Sequence, residues 1–246
     1  MTDQVPPNRQ PILNAPSVVV NAIIALALVH VARLAMPVDS ERSLLAWGAF
    51  IPARYGRAAD GVLYSFPGAP LTDLTSIFTY GLLHGDALHL IMNSIWLLAF
   101  GTPVARRLPA LRFLLFCFVC SVAGALFYLL LNQGSLIPMI GASAGISGLM
   151  GAVGRIITAP VVLGQVDGRP AVYRQRLAGL GDRRLLVFAG IWIGFSILVG
   201  ATDISFGGAA ARSIAWEAHL GGFFAGLLLF GAFERPNWPT RKGKNG

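Results

Sequence analysis

Gly141-Ala-Ser-Ala-Gly145-Ile-Ser-Gly148-Leu-Met-Gly151-Ala-Val-Gly154 is the stretch on which the fold turns. Small residues recur at three- and four-residue steps, the spacing that places them on shared faces of a helix. In water such a helix is weak, because each glycine costs about 1 kcal/mol relative to alanine. In a bilayer the pattern is an advantage. Lipid tails supply no hydrophobic drive between helices, and small-xxx-small spacing lets two backbones approach until dispersion and polar contacts hold them. Gly221, Gly222 and Gly226, with a GxxxG between the last two, are the expected partner surface.

Composition agrees with a membrane setting. Of 246 residues, 55% are hydrophobic and 12% charged, about half the roughly 25% charged content of soluble domains. A soluble globule of this composition would expose large apolar patches and aggregate, and a disordered chain needs the opposite bias. The net charge of +8 does not point to nucleic acid, because no basic run is interleaved with aromatics and the positive charges sit in short gaps between apolar segments. Cys117 and Cys120 lie within an apolar stretch and read as small core residues, since a zinc site needs further ligands.

A spanning helix needs about 20 mostly apolar residues. Six segments qualify: Val18–Met36, Ala87–Ala105, Phe113–Leu131, Pro138–Ile157, Leu185–Ala201 and Ser213–Phe233. The expected organisation is an N-terminal segment over 1–17, a six-helix membrane domain over 18–233 and a basic tail over 234–246. The first segment reads as a retained helix, because its lead-in carries Asp3 beside Arg9 and lacks the positive n-region of a signal peptide. With the N-terminus inside, 14 Lys and Arg face the cytoplasm and 5 (Arg33, Arg42, Arg54, Arg57, Arg212) face outward, so the positive-inside rule puts both termini in the cytoplasm. A bacterial inner membrane is the expected compartment. The long loop from Pro37 to Leu71 scatters Trp47, Phe50, Tyr55, Tyr64 and Phe66 among Gly, Pro and Arg, a mixture suited to the bilayer interface.

Polar groups inside hydrocarbon are costly and are functional candidates by default. The spans hold His89, Asn93 and Ser94, then Ser143 and Ser147, then Glu217 and His219. His30 stands apart in the first span and reads as a packing or interfacial residue. Pro138 is placed as a helix-starting proline, which sets Ser143 five residues and His219 six residues into their helices, roughly 7–9 Å below the start. Serine needs a base to become a nucleophile, and imidazole is the usual one. The oxyanion formed on attack needs fixed donors. The Ser143 N–H near a helix N-terminus is one candidate, and His89 and Asn93, on one helix face at i, i+4, are two more.

These residues resemble the rhomboid family of intramembrane serine proteases. The family pattern of HxxxN, GxSx and AH followed by glycines is met by His89-Leu-Ile-Met-Asn93, Gly141-Ala-Ser143-Ala and Ala218-His219-Leu-Gly221-Gly222, each on the appropriate helix, and His84-Gly-Asp-Ala-Leu-His89 resembles the family's approach to its second helix. The resemblance implies an all-α, six-helix polytopic bundle and a serine endopeptidase, with Ser143 as nucleophile, His219 as general base, and His89 and Asn93 as oxyanion donors. It implies no metal or other cofactor. The implied partners are single transmembrane helices as substrates and the surrounding lipid, with no nucleic acid. Three departures stand out: Ala144 follows the serine where many members have glycine, Ser147 replaces an aromatic, and Trp47 precedes Gly48 where many have arginine. Glu217 reads as a rim or structural group, His84 as a tether for the outer loop, and Ser147 as a serine on the same face as Ser143. The rival readings are a catalytically inactive relative that binds transmembrane clients, and a small transporter whose substrate site is the polar cluster.

Overall fold

The computed structural model describes residues 14–159, 163–166, 169–172, 177–201 and 215–234. Within them are eight α-helices: α1 Ser17–Leu34, α2 Val38–Gly48, α3 Leu71–Thr79, α4 Ala87–Ala105, α5 Ala110–Leu131, α6 Ser143–Ile157, α7 Arg183–Ala201 and α8 Trp216–Phe233. Five of these (α1, α4, α5, α7, α8) are long and apolar enough to cross a bilayer. With α6 they form the expected all-helical polytopic bundle, and the chain is an integral multi-pass membrane protein. The N-terminal residues 1–13, the expected sixth-span start at Ser213 and the basic tail from Arg235 lie outside the described residues.

Helix α6 is the centre. Twelve of its fifteen residues are buried, and it packs chiefly against α8, α5 and α4. At 1.5 Å per residue its length is about 22 Å, short of the roughly 30 Å hydrocarbon thickness. A helix ringed by other helices need not span, because irregular backbone at membrane depth is tolerated where protein covers it. The glycine stripe makes this enclosure possible. A Cβ on Gly148 would meet the Gly222 carbonyl oxygen at 3.0 Å, and one on Gly226 would strike the Gly148 carbonyl.

The expected helix start at Pro138 is wrong. Met139 instead forms an isolated antiparallel bridge with Phe50, each N–H donating to the other's carbonyl at 2.8 and 3.0 Å. A partner about 90 residues away in sequence overrides the local proline signal, and Ser143 becomes the first helical residue. Depth below the helix start is thus nil for Ser143 and about 4.5 Å for His219, three residues into α8.

The loop between α1 and α4 is folded around Arg54, whose guanidinium donates to Asp73 Oδ1 at 3.1 Å and to the Ala46 carbonyl and lies 4.6 Å over the Phe66 ring. Phe50, expected at the interface, is fully buried and stacks on Tyr55, whereas Trp47, Tyr55 and Tyr64 are exposed. Arg33, counted among the outer-loop charges, is also buried, because Glu41 pairs with it. Unforeseen in the basic loop after α6 is a two-stranded hairpin, β1 Leu163–Val166 with β2 Arg169–Val172. At the opposite end of the bundle from Ser143, Arg107 ties the α4–α5 turn to Glu234 at 3.0 Å.

Candidate active site

Ser143 Oγ and His219 Nε2 lie 2.8 Å apart, within reach for direct proton transfer. Two close helix contacts create this pairing. The Ala144 carbonyl sits where a Cβ of Gly222 would be, and a Cβ on Gly124 would lie 2.7 Å from the Ala218 carbonyl. Glycines on either side of the dyad therefore draw α6, α5 and α8 together until the two side chains meet. The departure at Ala144 is accommodated by the same device: a Cβ on Gly124 would sit 2.6 Å from the Ala144 methyl, so the facing glycine leaves that methyl its room.

The approach to Ser143 is built from Gly141, whose φ of +119° is open to glycine but strained for other residues. Its N–H donates to the Tyr80 carbonyl at 2.9 Å. Tyr80 is itself buried, its hydroxyl donating to the Ser121 carbonyl at 2.7 Å. A Cβ on Gly141 would fall 2.7 Å from His89 Nε2 and 3.8 Å from Ser143 Oγ. The missing side chain thus lets the His89 imidazole pack directly against the Gly141 backbone, beside the serine. The first N–H groups of α6, which have no partner within the helix, converge on the same end.

His89 is oriented from two directions. Its backbone N–H donates to Asp86 Oδ1 at 2.8 Å, an N-cap that fixes the start of α4. Its ring Nδ1 accepts from the Gly85 N–H at 3.4 Å. The His84 ring packs edge-on at 5.1 Å, and burial, with His89 beside it, pushes the His84 imidazole down to about 4, so it is neutral at neutral pH. Asn93 is buried one turn below, donating one amide hydrogen to the His89 carbonyl at 2.9 Å. Removing the cap by Asp86→Ala should lower stability by about 1 kcal/mol, read as an earlier midpoint in an SDS unfolding titration, while Asp86→Asn should restore most of it. An unchanged midpoint for Asp86→Ala would show that the cap is redundant.

Of the candidates from sequence, Ser143 and His219 therefore meet directly, His89 packs beside them against Gly141, and Asn93 lies one turn along α4 from His89. Ser147 is buried a turn along α6. Glu217 accepts from Asn132 Nδ2 at 3.2 Å, a structural link between α8 and the end of α5. His30 is buried in α1, and neither ring nitrogen has a hydrogen-bond partner among the described residues. Among those residues no group of three or more His, Cys, Asp or Glu side chains is arranged to hold a metal ion. Sequence reasoning missed Tyr80, Gly85 and the cap at Asp86. Only Asp86 carried a local signal, an Asp one residue ahead of an apolar helical run.

A family model described as the Rhomboid domain matches residues 71–235. Among curated proteins, the chain is 24% identical over 165 residues to RHOMBOID-like protein 4 of Arabidopsis thaliana. That match covers 67% of this chain and 35% of the relative, so the chain spans about a third of the curated protein it matches.

Proposed function

The chain belongs to the rhomboid family, and from that premise we propose that it is an active intramembrane serine endopeptidase that cuts transmembrane segments of other membrane proteins. The observation that carries this reading is the 2.8 Å contact between Ser143 Oγ and His219 Nε2, with the His89 imidazole packed against Gly141 beside them. Catalytically inactive relatives have no need of a nucleophile and base held at hydrogen-bond distance. A transporter would more often show broken helices or charges spread along a pore.

In this mechanism His219 Nε2 is unprotonated in the resting enzyme, with its hydrogen on Nδ1. Ser143 Oγ attacks the scissile carbonyl carbon as its proton passes to Nε2. The carbonyl electrons move onto oxygen, where the Ser143 N–H and the Nε2–H of His89 receive the developing charge, with the second Asn93 amide hydrogen in reserve. Collapse expels the amine, which takes the proton from His219 and leaves an acyl-Ser143. A water then gives its proton to His219 and attacks the ester, releasing the acid and restoring both side chains. The 14-to-5 division of Lys and Arg orients the chain with both termini cytoplasmic and the dyad towards the outer leaflet. Water reaches the site from that side, and the cut falls near the outer face.

The direct test is labelling with a serine-directed fluorophosphonate in detergent. Wild type should form a stoichiometric adduct that peptide mapping places on Ser143, and His219→Ala should abolish it. A wild type that stays unlabelled at high reagent concentration, yet binds transmembrane peptides, would replace the protease by a client-binding protein.

A further inference from the structure

Arg33 is a cation in the last turn of α1, 4% exposed, and the catalytic scheme does not use it. A buried charge is tolerated only when paired and hydrogen-bonded, and both of its partners are informative. Nη1 donates to Glu41 Oε1 of α2 at 2.6 Å, and Nη2 donates to the Gly85 carbonyl at 3.0 Å. Gly85 is the residue whose N–H meets His89 Nδ1. A neutral imidazole that accepts at Nδ1 must carry its hydrogen on Nε2, and Nε2 is the atom packed against Gly141, two residues before the serine. The Gly85 N–H therefore favours the tautomer that makes His89 Nε2 a donor. Glycine is the residue least able to hold such an orientation by itself, since it has no Cβ to restrict φ and ψ. The charged bond from Arg33 grips that residue from its carbonyl side.

We propose that Arg33 is a positioning residue for the oxyanion donor: through the Gly85 backbone it sets the tautomer and direction of His89, and Glu41 holds Arg33 in place. The inference rests on the protease reading for its kinetic consequence, but its structural consequence stands apart from activity. It also joins α2, in the loop beside the bundle, to the catalytic space through a continuous chain of bonds, Glu41 to Arg33 to Gly85 to His89.

The test compares wild type, Arg33→Gln, Arg33→Lys and Glu41→Gln in liposomes. For Arg33→Gln, kcat should fall about 10- to 100-fold with little change in KM, the size of loss expected when a catalytic group is displaced by about an ångström. The rate constant for phosphonate labelling should fall in parallel, while the labelling endpoint, which counts folded sites, stays at wild type. Arg33→Lys, whose ammonium can still reach the Gly85 carbonyl, should recover part of the loss, and Glu41→Gln should show a smaller loss of the same kind. A lowered endpoint with an unchanged rate per labelled site would mean that Arg33 serves only folding, and would overturn the proposal, as would unchanged rates. Nitrogen-15 spectra of histidine-labelled protein give a reading independent of activity, helped by there being four histidines in the chain. Wild-type His89 should show hydrogen on Nε2 alone and Arg33→Gln a mixture of tautomers. An unlabelled, inactive wild type would sink the protease reading, and the spectra would still decide this one: an unaltered His89 tautomer in Arg33→Gln refutes it.

Discussion

Ser143→Ala should reduce cleavage of a transmembrane reporter in liposomes to background, a loss on the order of a millionfold where the assay can follow it. Its size follows from chemistry more than from binding. Without Oγ there is no atom to form the acyl intermediate, and His219 has no proton to accept. Because the two side chains share one 2.8 Å contact and act in one step, His219→Ala should cost about as much, and the double variant should be no worse than either. Additive losses would mean that serine and histidine act separately. Substrate should still bind Ser143→Ala, so the variant should slow cleavage by wild type when the two compete for a limited amount of reporter. EDTA should leave wild type unaffected. Ser147→Ala is the informative control, since Ser147 is the other serine on α6 and is also buried. Activity that survives in Ser143→Ala but vanishes in Ser147→Ala would move the nucleophile one turn along.

How much of this was readable before the structure depends on where each constraint comes from. The membrane helices are legible because a bilayer imposes a length and a composition that a single segment must satisfy by itself. Helix α4 begins at Ala87 as expected, and the other long helices shift by three residues or fewer. Ser143, His219 and His89 are legible because hydrocarbon makes polar side chains rare, so those that remain are informative. The misplacement of α6 has a different origin. Pro138 is a sound local start signal, but the Phe50–Met139 bridge and the Gly141 bond to Tyr80 hold that stretch extended from a distance. Local propensity cannot report a partner about 90 residues away. Arg33 was lost for a related reason. An arginine near the end of a spanning helix looks like an interfacial charge, and only the fold brings Glu41 and the Gly85 carbonyl to it.

Gly222→Ala is the second large effect, and it follows from the enclosure of α6. The added methyl would collide with the Ala144 carbonyl oxygen, and backbone cannot rotate aside as a side chain can. The helices must part or tilt, at a cost of about 1–3 kcal/mol or more for overpacking, read as an earlier midpoint in an SDS titration. The same methyl lies three residues after His219 in α8 and against the Ala144 backbone, next to Ser143, so the displacement falls on the dyad. Labelling of Ser143 should slow more than the stability loss alone accounts for, measured under conditions in which the variant remains folded. Gly194→Ala on α7 provides the comparison, because nothing lies within 4 Å of its added Cβ, and it should be neutral in both assays. Equal behaviour of the two variants would mean that the α6–α8 contact is looser than the structure has it, and that the glycines serve some purpose other than bringing serine to histidine. A stability loss without slower labelling would separate the two roles, leaving Gly222 to hold the bundle while other contacts align the dyad.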